Sequence, residues 1–178
     1  MSIYHILIEI SIQKLTVYKS TDKNWLENDD RWNTNIYLDP VFSTSVSTAA
    51  NGVGEQYNSF KTPLGKHKIK AKIGQNYPIE SVFVGRRATG EVWNESLSKQ
   101  YPNRDWILTR ILWLSGLEKG KNRFGCVDTM KRYVYIHGSP PSVKMGAVGS
   151  KGCIRMTGKD IVTLFDIVPN GTTVNLKL

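Results

Sequence analysis

The chain has 178 residues, of which 40% are hydrophobic and 22% charged, and its formal net charge is +9 at pH 7. This length can bury the core of one domain, and no apolar run approaches the ~18 residues that a transmembrane helix needs. Two cysteines are too few for the disulfide scaffold of a small secreted protein, and free thiols fit a reducing compartment. We expect a single domain over residues 1–178.

The positive charge is unevenly distributed along the chain. Residues 1–60 carry four Lys/Arg against seven Asp/Glu, a net −3, whereas residues 61–178 carry 20 against 8, a net +12. Such a field attracts an acidic partner. Nucleic acid, an anionic small substrate and plain solubility are all compatible with the charge alone.

The N-terminal stretch MSIYHILIEI alternates in its side chains, and residues 15–18 form a second short apolar run after a polar break. Two tightly joined strands are predicted. The stretch lacks the features of a signal peptide: no Lys or Arg precedes it, Glu9 interrupts it and no small-residue cleavage site follows. A cytoplasmic location is expected, or a periplasmic one if a leader has been removed.

The middle of the chain mixes polar and β-branched segments. Residues 20–40 are polar and acidic, which predicts a surface insert, either a long loop or a short helix. Pro63 and Gly65 predict a turn. The predicted strands of this region cover residues 41–49, 67–74 and 81–87. Residues 88–105 are predicted to be irregular.

The last third contains the clearest elements. Residues 106–116 predict a buried strand, with a short helix as the alternative, and residues 132–138 predict a strand. Residues 157–171 predict a helix, because apolar residues recur at helical spacing: Ile161, Leu164, Phe165 and Val168. Residues 172–178 close as a strand. The sum is a strand-dominated domain with about one clear helix.

The stretch HGSPPSVKMGAVGSKGCIRM places His137 and Cys153 at the two ends of a glycine-rich loop. A cysteine attacks as its thiolate, and a neighbouring imidazole can take the proton. Gly152 leaves room for a substrate carbonyl and offers backbone N–H groups as an oxyanion hole. Lys151 and Arg155 flank the thiol with positive charge, which predicts a lowered pKa and a partner for a substrate carboxylate.

The residue pattern alone leaves other interpretations open. A single Cys and a single His are more often core residues, and a metal site is disfavoured because no paired Cys spacing occurs. Cys126 is expected to pack as a small hydrophobe. No Asp or Glu lies between His137 and Cys153, so a backbone carbonyl is a candidate for orienting the imidazole.

This pattern resembles the signature of the YkuD-type L,D-transpeptidase catalytic domain, which is HG, a loop, then S-x-G-C-[IV]-R. The matching residues are His137, Gly138, Ser150, Gly152, Cys153, Ile154 and Arg155. Upstream, QKLTVY resembles the family's opening hairpin, and KTPLGKHKI its T-P-x-G-x-[FHY]-x-I element. The resemblance extends from about residue 3 to 178, while residues 20–40 and parts of 86–104 have no counterpart.

The resemblance implies a mainly β fold, a β-rich sandwich or partial barrel with one or two packed helices. It implies that Cys153 attacks the carbonyl of the L-centre of the third peptidoglycan stem residue, usually diaminopimelate. A thioester forms on Cys153, and the terminal D-alanine leaves. His137 is then base and acid, oriented by a carbonyl at Gly138 or Ser139. The N–H groups of Gly152 and Cys153 hold the oxyanion.

Further residues have two interpretations each. Arg155 binds a stem carboxylate or holds the loop, and Ser150 shapes the loop or takes part in catalysis. Tyr133 or Tyr135 faces the pocket, or both pack in the strand, and His67 is expected to be structural. Three tryptophans of the irregular segments are candidates for a lid or for surface anchors: Trp25, Trp32 and Trp93.

Three functions are consistent with the sequence. The preferred one is an L,D-carboxypeptidase of cytoplasmic muropeptide recycling, and the alternative is an L,D-transpeptidase that forms 3-3 cross-links. A non-catalytic basic binding domain is the distant third. The expected partners are stem peptides or muropeptides, with no nucleic acid, membrane insertion, metal or cofactor, and the oligomeric state stays open.

Overall fold

The computed structural model describes residues 2–22, Trp25, Trp32 and residues 39–178, so most of the predicted insert at 20–40 lies outside the described residues. The strands are β1 (Ile3–Glu9), β2 (Lys14–Ser20), β3 (Pro40–Ser45), β4 (Gly65–Ile73), β5 (Ser81–Val84), β6 (Arg87–Val92), β7 (Ile107–Gly116), β8 (Tyr135–Ser139), β9 (Ile154–Thr157) and β10 (Thr173–Lys177). Helix α1 covers Glu95–Gln100, and helix α2 covers Gly158–Ile167.

One curled, half-barrel sheet contains all ten of these strands. Its hydrogen-bonded order is β3-β2-β1-β10-β4-β7-β5-β6, and β8 branches from β7 to pair with β9. The β1–β10 and β8–β9 pairs are parallel, and the other pairs are antiparallel. This architecture confirms the predicted mainly β fold with packed helices.

Helix α2 packs on the sheet through the apolar face that its periodicity predicted. Thr157 caps it, because the hydroxyl accepts a hydrogen bond from the backbone N–H of Asp160 at 3.1 Å. Ile161, Leu164 and Phe165 are buried in the main core. The helix therefore covers one face of β8 and β9.

The region predicted to be irregular, residues 88–105, contains regular structure. Strand β6 pairs with β5 through a turn in which Gly85 has a φ of 60°. Helix α1 begins after Asn94, whose side chain accepts the N–H of Leu97 at 2.9 Å. The prediction was wrong because the strand's apolar side chains are few, so its pairing with β5 rather than its periodicity determines it.

The environments predicted for Trp93 and Cys126 were wrong. Trp93 is buried in a small core cluster with Val82, Trp106 and Leu108, so it is neither a lid nor a surface anchor. Cys126 is exposed on a short 3-10 helix, Gly125–Val127, and does not pack as a small hydrophobe. Within residues 2–22 and 39–178, no helix has the length and apolar character needed to cross a bilayer.

Candidate active site

The parallel pair β8–β9 brings the two reactive side chains to one face of the sheet. Its register places Ile136 beside Ile154 and His137 beside Arg155. Side chains alternate along a strand, so the two isoleucines enter the main core while their neighbours face the opposite side. Cys153 directly precedes β9 and packs on that opposite side, which places the thiol diagonally across from His137.

His137 is buried, with 2% of its surface exposed, and its imidazole has a defined tautomer. Its Nδ1 lies 2.7 Å from the carbonyl oxygen of Gly138, and because a carbonyl can only accept, Nδ1 carries the proton. Nε2 is left with the lone pair that a general base needs. The predicted backbone carbonyl is therefore that of Gly138. The hydroxyl of Ser139 instead donates to the carbonyl of Met156 at 2.8 Å.

Burial lowers the pKa of His137 to about 4, against the opposing effects of the Gly138 carbonyl and the Asp105 charge. The nearby charge of Arg155 lowers this pKa further. The imidazole is therefore neutral at pH 7 and can accept a proton.

The Cys153 thiol is half-buried, and its hydrogen-bond partners are backbone groups at the start of β8 and just before it. It donates to the carbonyl of Tyr133 at 3.5 Å and accepts the N–H of Tyr135 at 3.4 Å. No hydrogen bond joins it to His137 in this structure. The thiol and the imidazole thus share a face, but the hydrogen bonds of the sulfur are to backbone groups of residues 133 and 135.

Burial raises the pKa of the Cys153 thiol to about 12. The N–H of Tyr135 and the charges of Arg155 and Arg132 act in the opposite direction but do not overcome burial, and Asp105 adds to the rise. The lowered pKa predicted from the flanking cations was wrong, because the effect of burial on the thiol outweighs that of the nearby positive charges. The resting pair is a neutral thiol and a neutral imidazole.

The loop before Cys153 is held by its own hydrogen bonds. Gly152 has a φ of +124°, and a Cβ there would lie 3.4 Å from the Lys61 carbonyl oxygen. The Ser150 hydroxyl donates to the Cys153 carbonyl at 2.5 Å and accepts the Gly152 N–H at 3.2 Å, so these two hydrogen bonds hold the loop. The Gly152 N–H is thereby engaged. Among the described residues the Cys153 N–H has no hydrogen-bond partner, so it is available to donate to a ligand oxygen.

Arg155 is engaged by the protein itself. Its Nη2 lies 2.6 Å from Oδ1 of Asp105 and its Nη1 donates to the Gly149 carbonyl at 3.0 Å. Of the two roles considered for Arg155, the structure therefore supports loop holding. Asp105, 50 residues away in sequence, has no local signal that predicts this pair.

A cleft of about 200 Å³ opens over the thiol. We call it the thiol cleft; it is lined by Tyr57, Asn58, Phe60, Arg132, Tyr133, Val134, Lys151, Gly152 and Cys153. Tyr133 is 52% exposed and faces this cleft, whereas Tyr135 is buried beside Cys153, which decides between the two tyrosines. Asn58, Phe60 and Tyr133 all have left-handed backbones, with φ between 55° and 60°. Such strain is concentrated at binding sites in many proteins.

The predicted tryptophan lid does not cover the thiol cleft. The rings of Trp25 and Trp32 contact His5 of β1 edge-on, at centroid distances of 6.0 and 5.4 Å. The carbonyl of Trp32 also accepts a hydrogen bond from Asn175 of β10. These two side chains therefore pack on the β1–β10 part of the sheet.

Arg132 is a site residue that sequence reasoning missed. Its Nη1 donates to the Gly54 carbonyl at 3.2 Å, and its Nη2 donates to the Lys61 carbonyl at 2.6 Å and the Ser59 hydroxyl at 3.3 Å. It thus fastens the 54–61 segment, one wall of the thiol cleft, to Tyr133, the other wall. Its place as the first residue of the strand predicted over residues 132–138 was the only available signal.

Arg86, at the β5–β6 turn, was also missed. Its guanidinium lies 4.2 Å from the ring centroid of Trp113 and 5.0 Å from that of Tyr133, and its Nη1 donates to the Tyr135 hydroxyl at 3.2 Å. These contacts hold Tyr133, which lines the thiol cleft, and its aromatic neighbours in place. His67 is structural, as expected: its imidazole is buried between the Gly65 carbonyl at 2.9 Å and the Thr129 hydroxyl at 3.0 Å.

A second cleft of about 270 Å³ adjoins the first. It is lined by Ser98, Pro102, Asn103, Arg104, Asp105, Trp106, Pro140, Ser142, Val143, Lys151 and Arg155. Lys151 borders both clefts. In the described part of the chain, no three His, Cys, Asp or Glu side chains are grouped as metal ligands would be.

The chain matches the model of the YkuD family, the L,D-transpeptidase catalytic domain, over residues 3–176. It is 48% identical over 46 residues to the curated protein YkuD of Bacillus subtilis, a stretch that is 26% of this chain and 28% of that one. The matched stretch thus spans under a third of that relative.

Solved structures share the fold at low identity. An L,D-transpeptidase from Mycobacterium smegmatis matches with a TM-score of 0.52 and 16% identity, over 99% of this chain and 59% of that one. The L,D-transpeptidase LdtMt1 in complex with imipenem matches with a TM-score of 0.52 and 17% identity, over 99% of this chain and 59% of that one. The helical cell shape determining protein Pgp2 from Campylobacter jejuni matches with a TM-score of 0.54 and 14% identity, over 99% of this chain and 48% of that one. Together with the family match over nearly the whole chain, these likenesses agree with the motif around His137 and Cys153: the chain belongs to the YkuD family of L,D-transpeptidase catalytic domains.

Proposed function

We propose that this chain carries out cysteine-dependent acyl transfer on the peptide stems of peptidoglycan. The bond broken joins the L-centre of the third stem residue, usually diaminopimelate, to the terminal D-alanine. The observation that carries the proposal is the arrangement of Cys153 at the floor of a cleft, on the same sheet face as an imidazole whose Nδ1 proton is held by Gly138. The family membership supplies the class of reaction.

The first half-reaction starts from a neutral thiol and a neutral imidazole. When a stem enters the cleft, the thiol turns from the Tyr133 carbonyl towards His137, and Nε2 takes its proton as sulfur attacks the carbonyl carbon. The oxyanion accepts the N–H of Cys153. The imidazolium then gives its proton to the departing nitrogen, the C–N bond breaks, and a thioester remains on Cys153 while D-alanine leaves.

In the second half-reaction an acceptor loses a proton to His137 and attacks the thioester, and the sulfur leaves with that proton as a thiol. An amine of a second stem gives an L,D-transpeptidase. The second cleft favours this acceptor, because it adjoins the thiol cleft at Lys151 and has comparable volume. An amine acceptor needs such a groove, whereas water needs none.

Water as acceptor gives the L,D-carboxypeptidase preferred from the sequence, and it is our second candidate. It is favoured by the half-buried state of Cys153, which leaves a thioester accessible to solvent from the thiol cleft. A role in cytoplasmic muropeptide recycling and a cytoplasmic location are part of this second candidate. Fractionation of cells that produce the native protein checks the location.

The test is mass spectrometry of the purified protein incubated with a disaccharide-tetrapeptide. A product lacking one alanine supports hydrolysis, a cross-linked dimer supports transpeptidation, and Cys153→Ala should give neither. Imipenem, which one matched L,D-transpeptidase binds, is a second probe: we expect an adduct on Cys153 that Cys153→Ala loses and Cys126→Ala keeps. Absence of any product together with absence of any acyl-enzyme adduct refutes the proposal.

A further inference from the structure

The thiol cleft is lined by two cationic side chains and by no carboxylate. One of the two, Arg132, is largely occupied by protein acceptors, because its two terminal nitrogens donate to the Gly54 and Lys61 carbonyls and to the Ser59 hydroxyl. Its removal would also release the 54–61 wall. Arg132 is therefore a structural cation, and a substrate anion has to be met by the other one.

The neighbouring Arg155, in the second cleft, is also occupied. Asp105 neutralises it at 2.6 Å, and the Gly149 carbonyl takes a further N–H. The carboxylate partner that the sequence predicted for Arg155 is thus already present within the protein. A substrate carboxylate at that position would have to displace Asp105.

Lys151 is the remaining cation. It is exposed, and among residues 2–22 and 39–178 its ammonium has no ion pair and no hydrogen bond. It lies on the border between the thiol cleft and the second cleft. An uncommitted ammonium at the meeting point of two clefts, beside a nucleophile, is suited to an anionic group of the substrate.

The position of Lys151 relative to Cys153 indicates which group it meets. Their Cα atoms are two residues apart, so at most about 7 Å separates them. In the substrate, the carbonyl that sulfur attacks joins the acyl chain on one side to the leaving residue on the other side. If the acyl chain occupies the thiol cleft, the leaving residue extends away from it towards Lys151, which lines both clefts. Its carboxylate is one residue, about 4 Å, past the attacked carbonyl.

We propose that the Lys151 ammonium binds the free C-terminal carboxylate of the leaving residue, and that it makes the enzyme specific for the last peptide bond of a stem. This inference rests on the proposed acyl transfer and adds a specificity-determining residue to it. A substrate whose final carboxylate is blocked, or moved away by an extra residue, loses this ion pair and reacts more slowly.

The test compares a disaccharide-tetrapeptide that has a free terminal D-alanine carboxylate with the same compound amidated at that carboxylate. The wild-type kcat/KM ratio of acid to amide should be on the order of tenfold, the range of one charged hydrogen bond. Lys151→Met should bring the ratio close to one by losing activity on the acid. Lys151→Arg should keep most of the ratio. Lys144→Met, an exposed lysine outside both clefts, is the matched control.

The outcomes separate this inference from the function on which it rests. A Lys151→Met enzyme that keeps the wild-type ratio overturns the role of Lys151, as does a wild-type enzyme that cleaves acid and amide equally; in both cases acyl transfer itself stands. If wild type turns over neither compound and forms no adduct on Cys153, the proposed function fails and the inference fails with it.

Discussion

At the scale of single residues, the proposed nucleophile, Cys153, and the proposed base, His137, are both neutral at rest. Burial raises the pKa of Cys153 to about 12 and lowers that of His137 to about 4, so a preformed thiolate–imidazolium pair is disfavoured at pH 7. In the proposed reaction the proton moves as sulfur attacks, and the imidazole acts as general base and then as general acid. We therefore expect the thiol to react slowly with reagents that need a thiolate.

This arrangement predicts an order of reactivity for the two cysteines. At pH 8, iodoacetamide should modify exposed Cys126 at least about tenfold faster than Cys153, because the reagent reacts with thiolate and the Cys153 pKa is raised. Peptide mass spectrometry over time measures both rates in one sample. Cys126→Ser isolates the slower rate. Faster modification of Cys153 would show that its thiol is ionised at rest.

At the scale of elements, the β8–β9 pair fixes the chemistry and neighbouring segments close the cleft around it. Gly138 follows His137 on β8, and a Cβ at this position would lie 2.7 Å from the Leu108 carbonyl oxygen. The absence of a side chain lets β8 approach β7 while its carbonyl orients the imidazole. Arg132, which lies shortly before β8 in the chain, holds the 54–61 wall of the thiol cleft by hydrogen bonds.

Arg132 should therefore affect the cleft more than the fold. Arg132→Met removes the hydrogen bonds to Gly54, Ser59 and Lys61, and we expect faster amide exchange confined to residues 54–61 and the Tyr133 region. Acylation of Cys153 should slow about tenfold or more, since one wall is released. Arg123→Met, a nearby arginine outside the thiol cleft, is the control. Unchanged exchange at 54–61 in Arg132→Met would contradict the clamp.

At the scale of the whole molecule, two buried histidines couple stability to pH. His67 and His137 both have pKa values lowered by burial to about 4, against about 6.5 in an unfolded chain. The unfolded state binds more protons between these values. The stabilisation is therefore complete above pH 6.5 and is lost as the pH falls towards 4, by on the order of 3 kcal/mol for each histidine.

Urea unfolding at pH 7.5, 5.5 and 4.5 measures this loss. His67→Gln, which removes a buried imidazole that lies away from the thiol, should lose less stability on acidification than wild type, by a few kcal/mol at most. Equal losses for the two proteins would show that His67 does not supply this pH dependence. Activity assays of His67→Gln at pH 7.5 report whether its site is intact.

The sequence predicted what local spacing determines. The motif located Cys153 and His137, the missing acid pointed to a backbone carbonyl, and the helical period of residues 157–171 gave α2. The pKa of the thiol could not be predicted, because its burial comes from Phe83 and Ile111, on strands distant in the chain. The pairing of Arg155 with Asp105 likewise depends on two segments meeting only in the fold.

The central claim, a neutral thiol activated by a neutral imidazole during attack, is tested most directly by the pH dependence of the acylation of Cys153. Single-turnover acylation by the disaccharide-tetrapeptide, followed by intact-protein mass spectrometry between pH 3.5 and 9, should be nearly flat from pH 5.5 upward. It should fall on the acid side with a midpoint near the His137 pKa of about 4. A rate that instead climbs about tenfold per pH unit across pH 6 to 9, as attack by a free thiolate requires, would contradict the account.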